Sequence, residues 1–139
     1  MTLRVHRLDH VALDVRDLAA SVRFYGEVLG LPRIERPAFG FPGAWFALGK
    51  QELHLVAAGV VRGIDHSNTH LGLLVDDALA VRRALEQQGV AGLQGPIHRP
   101  DGALQLFLRD PDGHVIEVLS WPASPGTHPC TPAPAAAAG

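Results

Sequence analysis

His10 and His70 stand sixty positions apart at the head of two similar stretches, Leu8-Asp-His10-Val-Ala-Leu-Asp-Val-Arg-Asp17 and Asn68-Thr-His70-Leu-Gly-Leu-Leu-Val-Asp-Asp77. His54 and Glu117 form a second pair, each inside an apolar run, Leu53-His54-Leu55 and Ile116-Glu117-Val118. Strand alternation puts Val11, Leu13 and Val15 on one face and His10, Ala12 and Asp14 on the other. The same period turns Glu52, His54 and Val56 away from Leu53 and Leu55. One face of each run is therefore suited to packing, and the opposite face carries His10, His54, His70 and Glu117. A carboxylate among apolar neighbours is seldom left unpaired, so Glu117 needs a cation, a metal or a hydrogen-bond donor. Imidazole and carboxylate converging on one face are ligands that Fe(II), Mn(II), Ni(II), Co(II) or Zn(II) accept. Two His and one carboxylate leave coordination positions for water or substrate. His54 then fills a fourth position or stands beside the ion as an acid or base.

The elements that must position these residues follow from the same pattern. Leu8 to Val15 reads as a strand. Asp17 is an N-cap for a helix with Leu18, Val22, Tyr25 and Leu29 on one face, stopped at Gly30. Strands are predicted over Arg33 to Arg36, Ala44 to Leu48 and Gln51 to Ala57, the last two joined by a Gly49-Lys50 turn. Residues 59–67 read as a linker, and the order then repeats. Asp77 caps a helix from Ala78 to Gln88 that buries Ala78, Val81 and Leu85 and ends at Gly89. Leu93 to Ile97 and Ala103 to Arg109 follow as strands. The tight turn Asp110-Pro-Asp-Gly113 feeds the last strand, His114 to Leu119. The chain is thus predicted to be α+β, with two βαβββ modules (1–58 and 68–121) in a single domain over 1–121. The modules form a cup-shaped mixed sheet with helices on its outer face. Residues 122–139 are rich in Pro and Ala and are expected to form a tail that builds no core.

Composition bounds the partners. The 139 residues are 47% hydrophobic and 19% charged, with a formal charge of −2, so the expected partner is a small molecule, not nucleic acid or a membrane surface. No apolar stretch approaches the roughly 20 residues that span a bilayer, and no signal-like leader is visible, so a cytoplasmic location is the expectation. Cys130 is the single cysteine and reads as an inert thiol. His6, His66, His98, His114 and His128 fall in loops, at strand starts or in the tail and are expected to be solvated. Phe39, Phe41, Trp45 and Phe107 are candidates for lining an apolar pocket.

Several of these pieces together resemble the vicinal oxygen chelate superfamily: Asp9-His10-Val-Ala-Leu-Asp-Val15, Phe24-Tyr25 with Val28-Leu-Gly-Leu-Pro32, Leu53-His54-Leu55, His70 to Asp77, and Asp110-Pro-Asp-Gly-His-Val-Ile-Glu117. That group includes glyoxalase I, extradiol dioxygenases, methylmalonyl-CoA epimerase, fosfomycin-modifying enzymes and bleomycin resistance proteins. The resemblance implies that His10, His70 and Glu117 are metal ligands and that His54 takes the remaining inner-face position. Catalytic roles then fall to His54 and Glu117, and a homodimer is the expected assembly. Where glyoxalase I and the epimerase carry a fourth-strand carboxylate, this chain has His54, with Glu52 two residues earlier. Where the extradiol and fosfomycin enzymes place a tyrosine, it has Phe107, and Ala12 stands where the fosfomycin group has a substrate-touching Thr. The ligand spacing is most similar to the two-His, one-Glu arrangement of the ring-cleaving branch. The expected function is a divalent-metal-dependent lyase, isomerase or ring-cleaving oxygenase acting on a small oxygen-bearing substrate. The alternative is a non-catalytic small-molecule or drug binder of the bleomycin-resistance kind.

Overall fold

The computed structural model describes residues 3–61 and 68–129, so Cys130, His66, most of the predicted linker and the end of the predicted tail lie outside the described residues. The chain is α+β, with two four-stranded mixed sheets and two helices. In order the elements are β1 (His10–Val15), α1 (Leu18–Arg23) continued by a π-helical turn (Phe24–Val28), β2 (Arg33–Ile34), β3 (Gly43–Leu48), β4 (Gln51–Ala57), β5 (His70–Leu74), α2 (Ala78–Gln87), β6 (Gln94–His98), β7 (Leu104–Arg109) and β8 (Val115–Ser120). The sheets are ordered β1-β4-β3-β2 and β5-β8-β7-β6. Position for position these are the same topology, which is the duplication expected from the His10 and His70 stretches.

The described residues form two compact units, one within Met1–His70 and Arg109–Val115, the other within Leu71–Leu108 and Ile116–Gly139. In the first, β1 pairs parallel with β4 and β3 pairs antiparallel with both β4 and β2. The Gly49-Lys50 turn sets Leu48 opposite Gln51 and thereby Trp45 opposite His54. Gly43 has no alternative there, because a Cβ would sit 2.5 Å from the Leu55 carbonyl oxygen. Ala44, Phe46, Leu53, Leu55 and Tyr25 form the buried layer, all about 1% exposed or less. Asp17 caps α1 as expected, its carboxylate accepting from Ala20 N at 3.0 Å. The predicted continuous helix instead widens after Arg23, where Leu29 N reaches back five residues to Phe24 O at 2.9 Å.

The turn over residues 110–114 belongs to this first unit and is held by side chains as well as by its own backbone. Asp110 Oδ1 accepts from the backbone N–H groups of Asp112 and His114 at 2.9 and 2.8 Å, and Gly113 supplies the positive φ of 88° that the turn requires. The Tyr25 hydroxyl donates to Asp110 Oδ2 at 2.8 Å. Arg16 N donates to Asp112 Oδ1 at 3.1 Å, and the His114 ring, through Nε2, donates to the Asp14 carbonyl at 2.7 Å. His114, expected to be solvated, is thus engaged with β1. Burial, followed by the Asp110 charge, pushes the Tyr25 phenol far above its ordinary pKa. Tyr25→Phe is expected to lower unfolding stability by about 1–3 kcal/mol, since it removes a donor from a buried carboxylate. Urea unfolding monitored by circular dichroism measures this, and an unchanged midpoint would count against the bond's importance.

In the second unit Asp77 caps α2, accepting from Leu79 N and Ala80 N at 2.9 and 3.1 Å. Ala78 and Leu85 are buried as expected. The sequence alternation puts Glu117 and Leu119 on the face opposite Ile116 and Val118, yet every residue from Ile116 to Ser120 is buried. The second face is covered as well: Leu119 packs with Ala103 and Trp121. Residues 122–129 turn back at Trp121, with Ser124 N donating to Trp121 O at 2.9 Å and the His128 ring 4.5 Å from the indole. A cavity of about 280 Å³ lies among Asp76, Asp77, Leu104, Ser120 and Pro122. None of the four predicted site residues lines it.

Candidate active site

Strand pairing in the first unit brings His10 and His54 together. The parallel register sets His10 opposite Glu52 and Ala12 opposite His54, so Glu52 and His54, two apart, share His10's face. The His10 and His54 rings stack at 4.3 Å between centroids and 15° between planes. Trp45 covers the other face of His54 at 3.8 Å and 3°. His54 is thereby pinned on both faces and engages neighbours through its edge, where Nε2 donates to Glu52 Oε2 at 2.7 Å. Its side chain is 12% exposed and that of Glu52 38%, so the pair opens to solvent on the carboxylate side.

His10 is oriented from below. Its Nδ1 donates to Asp9 Oδ1 at 2.9 Å, and Arg7 approaches the same carboxylate at 3.8 Å. The His10 hydrogen bond is the main reason the Asp9 carboxyl is held below the usual range. His70 repeats the motif with a different acceptor, its Nδ1 donating to the Asn68 carbonyl at 2.7 Å. A proton fixed on Nδ1 leaves the lone pair on Nε2, which is how an outer-sphere oxygen prepares a histidine to bind a metal.

Glu117, in the second unit, is 5% exposed. Its Oε1 accepts from Gln105 Nε2 at 2.7 Å and from Arg99 Nη1 at 3.4 Å. Arg99 also pairs with Asp101 and lies over the Trp121 ring at 5.6 Å. That guanidinium holds the Asp101 carboxyl below its ordinary value. The donor that Glu117 needed is thus supplied from β7 and from the residue after β6, neither of which the strand pattern singled out. Among the described residues, no three His, Cys, Asp or Glu side chains are gathered into a metal cage. The chemistry of the individual donors nevertheless suits a divalent ion: two histidines held by Nδ1 and one buried carboxylate.

Two neighbours of His54, Glu52 and Trp45, carry weaker sequence signals. Glu52 enters the sequence reading only as the acid two residues before His54, and that i, i+2 relation is the signal that places it on the same face. Trp45 reads only as a possible pocket wall, although counting back from the Gly49-Lys50 turn sets it against His54.

Comparison with known proteins agrees with this architecture. Residues 7–118 match the Glyoxalase/Bleomycin resistance protein/Dioxygenase superfamily, and the chain belongs to it. A lactoylglutathione lyase from Salmonella typhimurium is 31% identical over 124 residues, covering 81% of this chain and 91% of that protein. "Glyoxylase I 4" of Arabidopsis thaliana is 29% identical over 133 residues, covering 88% and 75%. Among solved structures, a glyoxalase family protein from Bacillus anthracis superposes with a TM-score of 0.76 at 24% identity, covering 86% of this chain and 98% of that one. An antibiotic-binding protein from Streptomyces, TnmS3, shares the fold with a TM-score of 0.69 at 24% identity over the same shares of the two chains.

Proposed function

We propose that this protein is a divalent-metal-dependent enzyme that moves a proton next to a carbonyl, in the lyase and isomerase branch of its superfamily. The observation that carries this is the 2.7 Å contact between Glu52 and His54, with the His54 ring stacked on His10. A carboxylate-held imidazole beside a candidate ligand is an acid–base device. The lactoylglutathione lyase relative supports the same branch.

His10, His70 and Glu117 would hold the ion, which when bound supplies Lewis acidity to two neighbouring substrate oxygens. A metal–imidazole bond lies in the ring plane, and the His10 and His54 rings stack within 15° of parallel. In that arrangement both cannot aim a lone pair at one ion, so His54 is read as the base and not as a fourth ligand. His54 takes the proton from the carbon beside the carbonyl, and Glu52 orients the ring and balances the charge it gains. Gln105 holds the Glu117 carboxylate in place, and Asp9 and the Asn68 carbonyl do the same for His10 and His70. Trp45 keeps one face of His54 dry.

Elemental analysis of the purified protein, repeated after reconstitution with each candidate ion, tests this. About one ion per chain with metal-dependent turnover is expected. A protein that takes up no ion would sink the proposal in favour of the non-catalytic binder, a reading that the exposed Phe39 and Phe41 rings favour. A homodimer is part of the proposal. It is supported by Leu3, Val5 and Leu8, which are 82%, 69% and 63% exposed just ahead of β1, the edge strand of its sheet.

A further inference from the structure

The stack on His54 does not end at Trp45. Phe39 lies 5.9 Å from Trp45 between ring centroids, and Phe41 lies 5.4 Å from Phe39 with the two planes within 24° of parallel. Five rings therefore run without a break from the loop between β2 and β3 to His10. The outer two are 46% exposed each. Single exposed apolar residues are ordinary, but adjacent aromatic rings continuous with a candidate active site are not. The loop is also braced. Arg36 donates through Nη2 to the Phe41 carbonyl at 2.9 Å, and Phe39 N donates to Pro37 O at 2.9 Å.

Arg36 adds a positive charge to this apolar surface. Its guanidinium lies over both outer rings, at 4.8 Å from Phe39 and 4.9 Å from Phe41. Among the described residues no carboxylate pairs with it. A guanidinium has five N–H donors, and the Phe41 carbonyl takes one Arg36 nitrogen. A cation held on aromatic faces, without a paired carboxylate, complements a ligand that is both flat and anionic.

We propose that Arg36, Phe39, Phe41 and Trp45 form a recognition shelf for a planar aromatic group bearing an acidic substituent, with the rest of the substrate reaching His10 and His54. This rests on the reading of His10 and His54 as the reacting end only for the direction in which the ligand lies. Binding to the shelf stands apart from turnover. The test is calorimetric titration of the full chain after chelator treatment, with 2-naphthoate, its saturated counterpart decahydronaphthalene-2-carboxylate, and uncharged 2-naphthamide. 2-Naphthoate is expected to bind roughly threefold to tenfold tighter than the saturated acid, the size of one aromatic stacking contact. Phe39→Ala/Phe41→Ala should erase that difference. Arg36→Gln should weaken 2-naphthoate and leave 2-naphthamide unchanged. Equal affinity for the two acids, no binding of any probe, or wild-type affinities in the shelf variants would overturn the proposal. So would a change from dimer to monomer in Phe39→Ala/Phe41→Ala by light scattering, which would make the shelf a contact between copies. Because no metal is present, a failure here is distinguishable from a failure of the metal-dependent reaction.

Discussion

His54→Ala is expected to lower kcat by about 10²- to 10⁴-fold, the contribution of a positioned general base, while the protein keeps its metal. Added imidazole should restore part of the rate, because the space between Trp45 and His10 is shaped by two parallel faces at 3.8 and 4.3 Å. Glu52→Gln should also lower kcat, by about 10²-fold or more, since the amide can still accept from Nε2 but carries no charge to balance the protonated ring. Imidazole should not rescue Glu52→Gln. That contrast separates a base from the residue that orients it. Wild-type kcat in both variants would remove His54 and Glu52 from the mechanism, and loss of metal from His54→Ala would return His54 to the ligand set.

Glu117→Gln is expected to abolish activity by a different route. The amide oxygen can keep the bonds from Gln105 and Arg99 that now reach Oε1 at 2.7 and 3.4 Å, so the fold should survive. The anionic ligand is lost. Metal affinity should fall by more than the roughly tenfold to hundredfold that removal of an outer-sphere partner costs. His70→Ala should do the same. Metal content per chain, alongside a cooperative unfolding transition, reads both effects. Full occupancy in Glu117→Gln with intact folding would exclude its carboxylate as a ligand.

Much of the architecture was legible because its signals are local. Asp17 and Asp77 announce their helices by capping, and the Gly49-Lys50 turn fixes a register that needs no tertiary information. The duplication shows in sequence as His10 and His70, and in structure as two sheets of matching strand order. What was not legible depends on neighbours from other elements. Alternation predicts a two-faced β8, but Trp121 and Ala103 cover its second face at Leu119, so Glu117 is buried and takes its donors from Gln105 and Arg99. The fourth-strand position differs in another way. Expecting a carboxylate there, one finds His54 and treats Glu52 as displaced, whereas the structure joins the two at 2.7 Å. The ligand spacing resembles that of the ring-cleaving branch. The proposed proton transfer rests instead on the Glu52–His54 contact, which only the folded chain displays.

The most direct test of that account is hydrogen exchange at the carbon beside a thioester carbonyl. A small 2-hydroxy thioester incubated in D2O with the metal-loaded protein should lose its C2 proton signal by NMR, and should keep it with chelator-treated protein until the ion is restored. Exchange that continues at the same rate in the metal-free protein, or fails to occur with the fully loaded one, would contradict metal-dependent proton transfer.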